Sequence, residues 1–159
     1  MEQLTGTLLS VLEQEGLSVC RRFPGGLMPR LTGARTAAQV RSFRVEPCGL
    51  GHYLGLSRDG SVATERYAKR VGGTLLLRTF APDVDVASAE QERILQALSR
   101  GIPGLSIRSF QGEETEFSSL CDCYTKDLLV EFSAYYYARE NGEEDAPLFL
   151  DFTLEGELQ

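Results

Sequence analysis

The stretch KDLLVEFSAYYYAR (residues 126–139) has the clearest period of two in the chain. Leu128, Val130, Phe132, Ala134, Tyr136 and Ala138 fall on one face, and Leu129, Glu131, Ser133, Tyr135 and Tyr137 on the other. Successive strand side chains point to opposite sides, so this spacing predicts a long strand with one core face and one amphipathic face. A second stretch, TLLLRTF (residues 74–80), places Leu75 and Leu77 on one face and Leu76 and Phe80 on the other. Apolar residues on both sides predict a central position in a sheet.

Two helices flank these strands. Leu4, Leu8, Leu9, Val11 and Leu12 recur at helical spacing before Gly16, which predicts an amphipathic N-terminal helix. Ile94, Leu95 and Leu98 predict a second helix over about Val86 to Arg100, with Ser88 and Gln91 as a capping box and Gly101 as the stop. Further strands are expected at Leu17 to Phe23, Ala38 to Val45 (ended by Pro47), Leu50 to Leu56, Leu105 to Gln111, Phe117 to Tyr124 and Leu148 to Leu154. Asp59-Gly60 and Gly112-Glu113 read as turns, and Ser61 to Val71 is too polar to assign. The order predicts an α+β fold, a mainly antiparallel sheet with two helices packed on one face. The 159 residues suit a single domain, with an arm-like C-terminal segment after residue 140.

Charge is distributed in blocks. From Arg21 to Arg78 eleven Lys/Arg stand against Glu46, Asp59 and Glu65, a balance of +8; from Gln111 to Gln159 thirteen acids stand against Lys126 and Arg139, a balance of −11. Opposite patches on one subunit favour head-to-tail association, and head-to-tail contacts that close make rings. The overall charge of −7 argues against a general nucleic-acid binder, although the basic segment could touch phosphates locally, and no sequence-specific nucleic-acid partner is expected. No run approaches the ~18 apolar residues of a membrane span, and the start lacks the pattern of a signal peptide, so a cytoplasmic location is expected.

Little in the sequence points to an enzyme. His52 is the lone histidine. Cys48 and His52 could be drawn as nucleophile and base, but no orienting group accompanies them. Cys121 and Cys123 form a C-x-C pair without the further ligands a metal needs, so no metal, cofactor or catalytic residue is assigned, and the four cysteines read as reduced and structural. Gly49-Leu50-Gly51 lacks the third glycine of a dinucleotide fingerprint. Tyr135 and Tyr137 suit a protein interface. Arg35, Arg41, Arg66, Lys69 and Arg70 are the candidate basic contacts, and Glu140, Glu143 and Glu144 of a neighbouring copy are their candidate partners. A monomeric adaptor or ligand-binding module with a tyrosine-lined surface is the alternative reading.

The element order resembles the tail terminator, or tail completion, proteins of long-tailed phages. The quoted elements are the N-terminal helix, a loop and strands, GTLLLRTFAP (residues 73–82), the helix AEQERILQAL (residues 89–98) and the final long strand. The chain is also similar to a Gram-positive phage and prophage group labelled minor capsid proteins. The resemblance covers roughly Leu4 to Arg139 and rests on element order, lengths and a few apolar positions. It implies a non-enzymatic virion subunit, assembled in the bacterial cytoplasm, that forms a ring, usually a hexamer. Such a ring caps the tail tube and joins it to head-completion proteins. The long Pro24–Arg35 loop, the Gly49–Val71 insertion and the acidic segment after Asn141 depart from the shorter members.

Overall fold

A computed structural model describes residues 2–24, 26–27, 29–48, 53–59, 62–139 and 152–153, with side chains for 4–24, 26–27, 29–48 and 68–135. The elements in order are α1 (Glu2–Gln14), β1 (Val19–Cys20), β2 (Arg35–Pro47), β3 (Tyr53–Asp59), β4 (Val62–Ala81), α2 (Val84–Ser99), β5 (Ser106–Ser118), β6 (Cys123–Arg139) and β7 (Phe152–Thr153). The strands form one sheet in the order β1-β2-β4-β6-β5, with β3 also pairing β4 and β7 pairing β6. Every pairing is antiparallel except the short parallel one between β1 and β2. This is the α+β arrangement expected from the sequence.

Both helices bury their apolar stripes on the same face of the sheet. Leu4, Leu8 and Leu12 of α1 and Ile94, Ala97 and Leu98 of α2 meet Leu75, Leu77, Leu128, Val130, Phe132 and Ala134 in one cluster. Over residues 128–134 the alternation therefore reads correctly: Leu128, Val130, Phe132 and Ala134 are all buried, while the side chains of Tyr136 and Ala138 lie outside the described residues. Each fully buried Leu, Val or Phe stabilises by about 1.5–3 kcal/mol relative to exposure, so this layer dominates the fold. Gly16 ends α1 at φ +77°, a left-handed conformation that glycine adopts without Cβ strain.

A second, smaller cluster sits on the opposite face, where Ala37, Phe80, Cys121 and Cys123 pack with Cys20, Phe23 and Leu31. Phe23 meets Phe80 edge-on at 6.3 Å between ring centroids. The stretch between β1 and β2 thus contributes Phe23 and Leu31 to packing on the helix-free face.

Four local expectations are corrected. α2 starts at Val84, and its cap is Asp83, whose carboxylate accepts from the Val86 N–H at 2.8 Å. Ser88 lies inside the helix, where its Oγ accepts from Lys126 Nζ, and Gln91 donates to the Asp127 carbonyl. The expected hairpin at Gly112-Glu113 is instead a bulge within β5, since pairing with β6 continues through Ser118 after a register shift between Gly112 and Thr115. The chain turns at Ser119–Asp122, with Asp122 at φ +53°, a region that aspartate tolerates. β4 runs 20 residues and absorbs the unassigned polar stretch, because β2 and β3 on one side and β6 on the other satisfy its backbone. The strand expected at Leu17 to Phe23 is reduced to Val19–Cys20.

Candidate functional site

The helix-free face of the sheet is assembled by register. Arg44 lies opposite Gly72, and Glu46 opposite Arg70. On the other side of β4, Arg70 lies opposite Tyr135, Gly72 opposite Ser133, Thr74 opposite Glu131 and Arg78 opposite Asp127. Directly paired residues share a face, so these side chains form one polar surface. Its central hollow, about 530 Å³, is lined by Arg44, Glu46, Arg70, Gly72, Gly73, Thr74, Arg108, Glu131 and Phe132. Gly73 is required there. A Cβ at this position would fall on the Ser42 carbonyl oxygen and within 2.9 Å of Phe43 Cα, so only glycine lets β2 and β4 approach at the β2 bulge.

The charges on this face are partly tied down. Arg78 holds Asp127 with two hydrogen bonds of 2.6 Å, from Nε and Nη2 to the two carboxylate oxygens. That bidentate pairing raises the guanidinium pKa, against a smaller opposing effect of burial. Arg78 also lies 5.8 Å from the Phe23 ring centroid. Ser109 donates to Glu131 at 2.8 Å. The Arg44–Glu46 pair is looser, at 3.8 Å and largely exposed.

The structure gathers some of the sequence-predicted residues and separates others. Arg66, Lys69 and Arg70 all lie on β4 alongside β6, with Arg70 opposite Tyr135, Lys69 opposite Tyr136 and Arg66 opposite Arg139, so the register puts Lys69 on the other face from Arg70 and Tyr135. Arg41 is the exposed bulge residue of β2, where the register shifts between Val40 and Ser42. Arg35 is exposed at the other end of β2, opposite Phe80. Ten residues of β4 separate Phe80 from Arg70, about 33 Å at the rise of a strand. Arg35 therefore does not share a site with Arg70. Glu140, Glu143 and Glu144 lie outside the described residues, as does His52 of the Cys48/His52 pair. Sequence reasoning missed Arg44, Arg108 and Glu131, because cross-strand neighbours are a property of register. The usable signal was alternation: Glu131 and Tyr135 fall on one face of the same stretch.

Cys121 and Cys123 are buried. Burial, reinforced by neighbouring Cys121 and Asp122, pushes the Cys123 thiol above its ordinary value, which suppresses the reactive thiolate. No group of three or more His, Cys, Asp or Glu side chains among the described residues could hold a metal ion. No helix among them is long and apolar enough to cross a membrane. Comparison with known proteins returned no matching family model and no matching curated sequence.

The sheet also converts the sequence's charge blocks into a spatial gradient. β2 carries Arg35, Arg41 and Arg44 against Glu46, a net +2; β4 carries Arg66, Lys69, Arg70 and Arg78 against Glu65, a net +3. β6 balances Lys126 and Arg139 against Asp127 and Glu131, a net of zero; β5 carries Glu113, Glu114 and Glu116 against Arg108, a net −2. In spatial order the sheet runs from basic at one side to acidic at the other.

Proposed function

We propose that this protein is a non-enzymatic assembly subunit that joins copies of itself head to tail into a ring, as a tail terminator does on the tail tube of a long-tailed phage or prophage. The observation that carries this reading is the charge gradient across the sheet. A subunit that is basic on one side and acidic on the other attracts a copy in the same orientation and repels one turned to present the same side. Such contacts are heterologous, and they close into rings when the rotation between copies closes. The resemblance in element order supports the placement on a tail, with the tail tube on one side of the ring and head-completion proteins on the other.

The test is the solution mass, by light scattering after size exclusion at several protein and salt concentrations, together with electron microscopy of the protein alone and with tail tubes. Salt-sensitive rings that cap tubes are the expected result. A monomer at every concentration that leaves tubes uncapped overturns the reading. Saturable uptake of a small ligand by such a monomer would then favour an adaptor with a tyrosine-lined surface.

A further inference from the structure

β2, flanked by β1 at one end only, and β5, at the far side of the sheet, are each 13 residues long. β1 pairs only Thr36 and Ala37 of β2, so residues 38–47 have no strand partner on their outer side among the described residues. Among the described residues β5 likewise pairs only β6. Residues 41–47 of β2 are all exposed, and β5 has no buried residue. Long open edges invite pairing with another chain, and proteins usually blunt them.

The edges are opposite in charge, and they match in a second way. Four of the exposed large apolar residues lie on them: Phe43 and Val45 on β2, Phe110 and Phe117 on β5. Phe43 and Val45 lie opposite Gly73 and Val71, and Phe110 and Phe117 opposite Val130 and Tyr124. Val71 and Val130 belong to the helix-side cluster. All four side chains therefore project on the helix side of the sheet, beyond its covered centre.

We infer that β5 of one copy adds antiparallel to the outer edge of β2 of the next, making one sheet continuous between copies. This deepens the assembly reading above and rests on it. Along the order β2-β4-β6-β5 each neighbour runs antiparallel, so copies in the same orientation present β5 antiparallel to β2. A like-with-like contact, β2 to β2 or β5 to β5, would oppose charges of one sign and is disfavoured, which selects a heterologous contact over a two-fold one.

The register follows from spacing. Arg41 and Arg44 are three residues apart, as are Glu113 and Glu116. An antiparallel register that sets Arg44 opposite Glu113 also sets Arg41 opposite Glu116. The same register places Val40 opposite Phe117 and Val45 opposite Gly112, all helix-side positions, and sets the Glu113-Glu114 bulge opposite Arg44 and Phe43. It spans residues 39–47 and 110–118, and so stops short of the two β2 residues that β1 occupies.

The experiment compares the wild type with R41E/R44E, with E113R/E116R and with an equimolar mixture of the two, by light scattering at one low salt concentration. The expected result is a wild-type ring, two variants whose assembly needs at least tenfold more protein, and a mixture that regains the wild-type mass through alternating copies. Circular dichroism and melting of each variant check that these exposed changes leave the fold intact. Variants that assemble like the wild type overturn the edge contact while leaving the ring reading standing. So does a mixture that stays dissociated. A wild type that stays monomeric and also leaves tail tubes uncapped overturns both, and one that assembles only on tubes moves the same comparison of variants onto tubes.

Discussion

The two faces of this sheet are built from the same strands and differ in what they bury. On the helix side, Leu75, Leu77, Leu128, Val130 and Phe132 are at most 2 % exposed. On the opposite side, the alternate residues Leu76, Arg78, Asp127 and Leu129 are half-buried, and Arg44, Glu46 and Glu131 are exposed. Over this stretch one strand residue in two packs under the helices, while further along the same strands Phe80 and Cys123 bury a smaller cluster on the other face. The sharpest division comes from removing a side chain from each face. Phe132→Ala should cost about 3–5 kcal/mol of unfolding free energy, the range for a buried Phe that leaves a cavity. Leu129→Ala, three residues earlier and half-buried, should cost about 1–2 kcal/mol, below the usual range for a buried leucine. Urea unfolding of both variants measures the difference. Equal losses would break the comparison and make the helix-free face a second core.

The next effect concerns the bidentate ion pair on that face. Asp127→Asn leaves the shape but removes the ion pair with Arg78. Arg78 is 37 % exposed in its side chain, so solvent screens the pair and discounts its contribution. The expected loss is about 1 kcal/mol, measured by the same urea titration, and it should shrink in high salt as screening grows. A loss above ~3 kcal/mol that salt leaves unchanged would mean that Asp127 acts mainly through packing.

Most of the fold was legible where one chemical signal repeats over many residues. The alternation of Leu128, Val130, Phe132 and Ala134 found the core face of β6, and the leucine spacing of α1 and α2 found both helices. The signal failed where structure depends on a distant partner. Arg66, Lys69 and Arg70 lie in a polar stretch with no alternation, and they are in a strand because β6 hydrogen-bonds alongside. Gly112-Glu113 has the local chemistry of a turn, yet pairing continues past it as a bulge. The local chemistry of Ser88 and Gln91 reads as the cap of α2, yet Asp83, directly after Pro82, is the residue that accepts the helix N–H. For the site, the charge blocks were visible in the sequence. Which charges sit at an edge was not, because strand order is set by tertiary pairing. The acids first matched to the basic strands were Glu140, Glu143 and Glu144. The strand order instead offers Glu113 and Glu116, on the outer strand opposite β2.

Arg44→Ala is the smallest expected effect and tests whether the edge residues belong to the fold at all. Its partner Glu46 stands 3.8 Å away, and the two side chains are 81 % and 49 % exposed. An ion pair this open gains little Coulomb energy against water and the entropy of holding two long side chains. The unfolding free energy of the subunit should change by no more than about 0.5 kcal/mol, as for most surface substitutions. A loss above ~2 kcal/mol in dilute, dissociated protein would mean that Arg44 anchors β2 against β4. In that case the exposed arginines of β2 would be folding elements, and their sign could not be set by a neighbouring copy. A small loss leaves the sign of that edge free of any folding role, as a contact made only between copies requires.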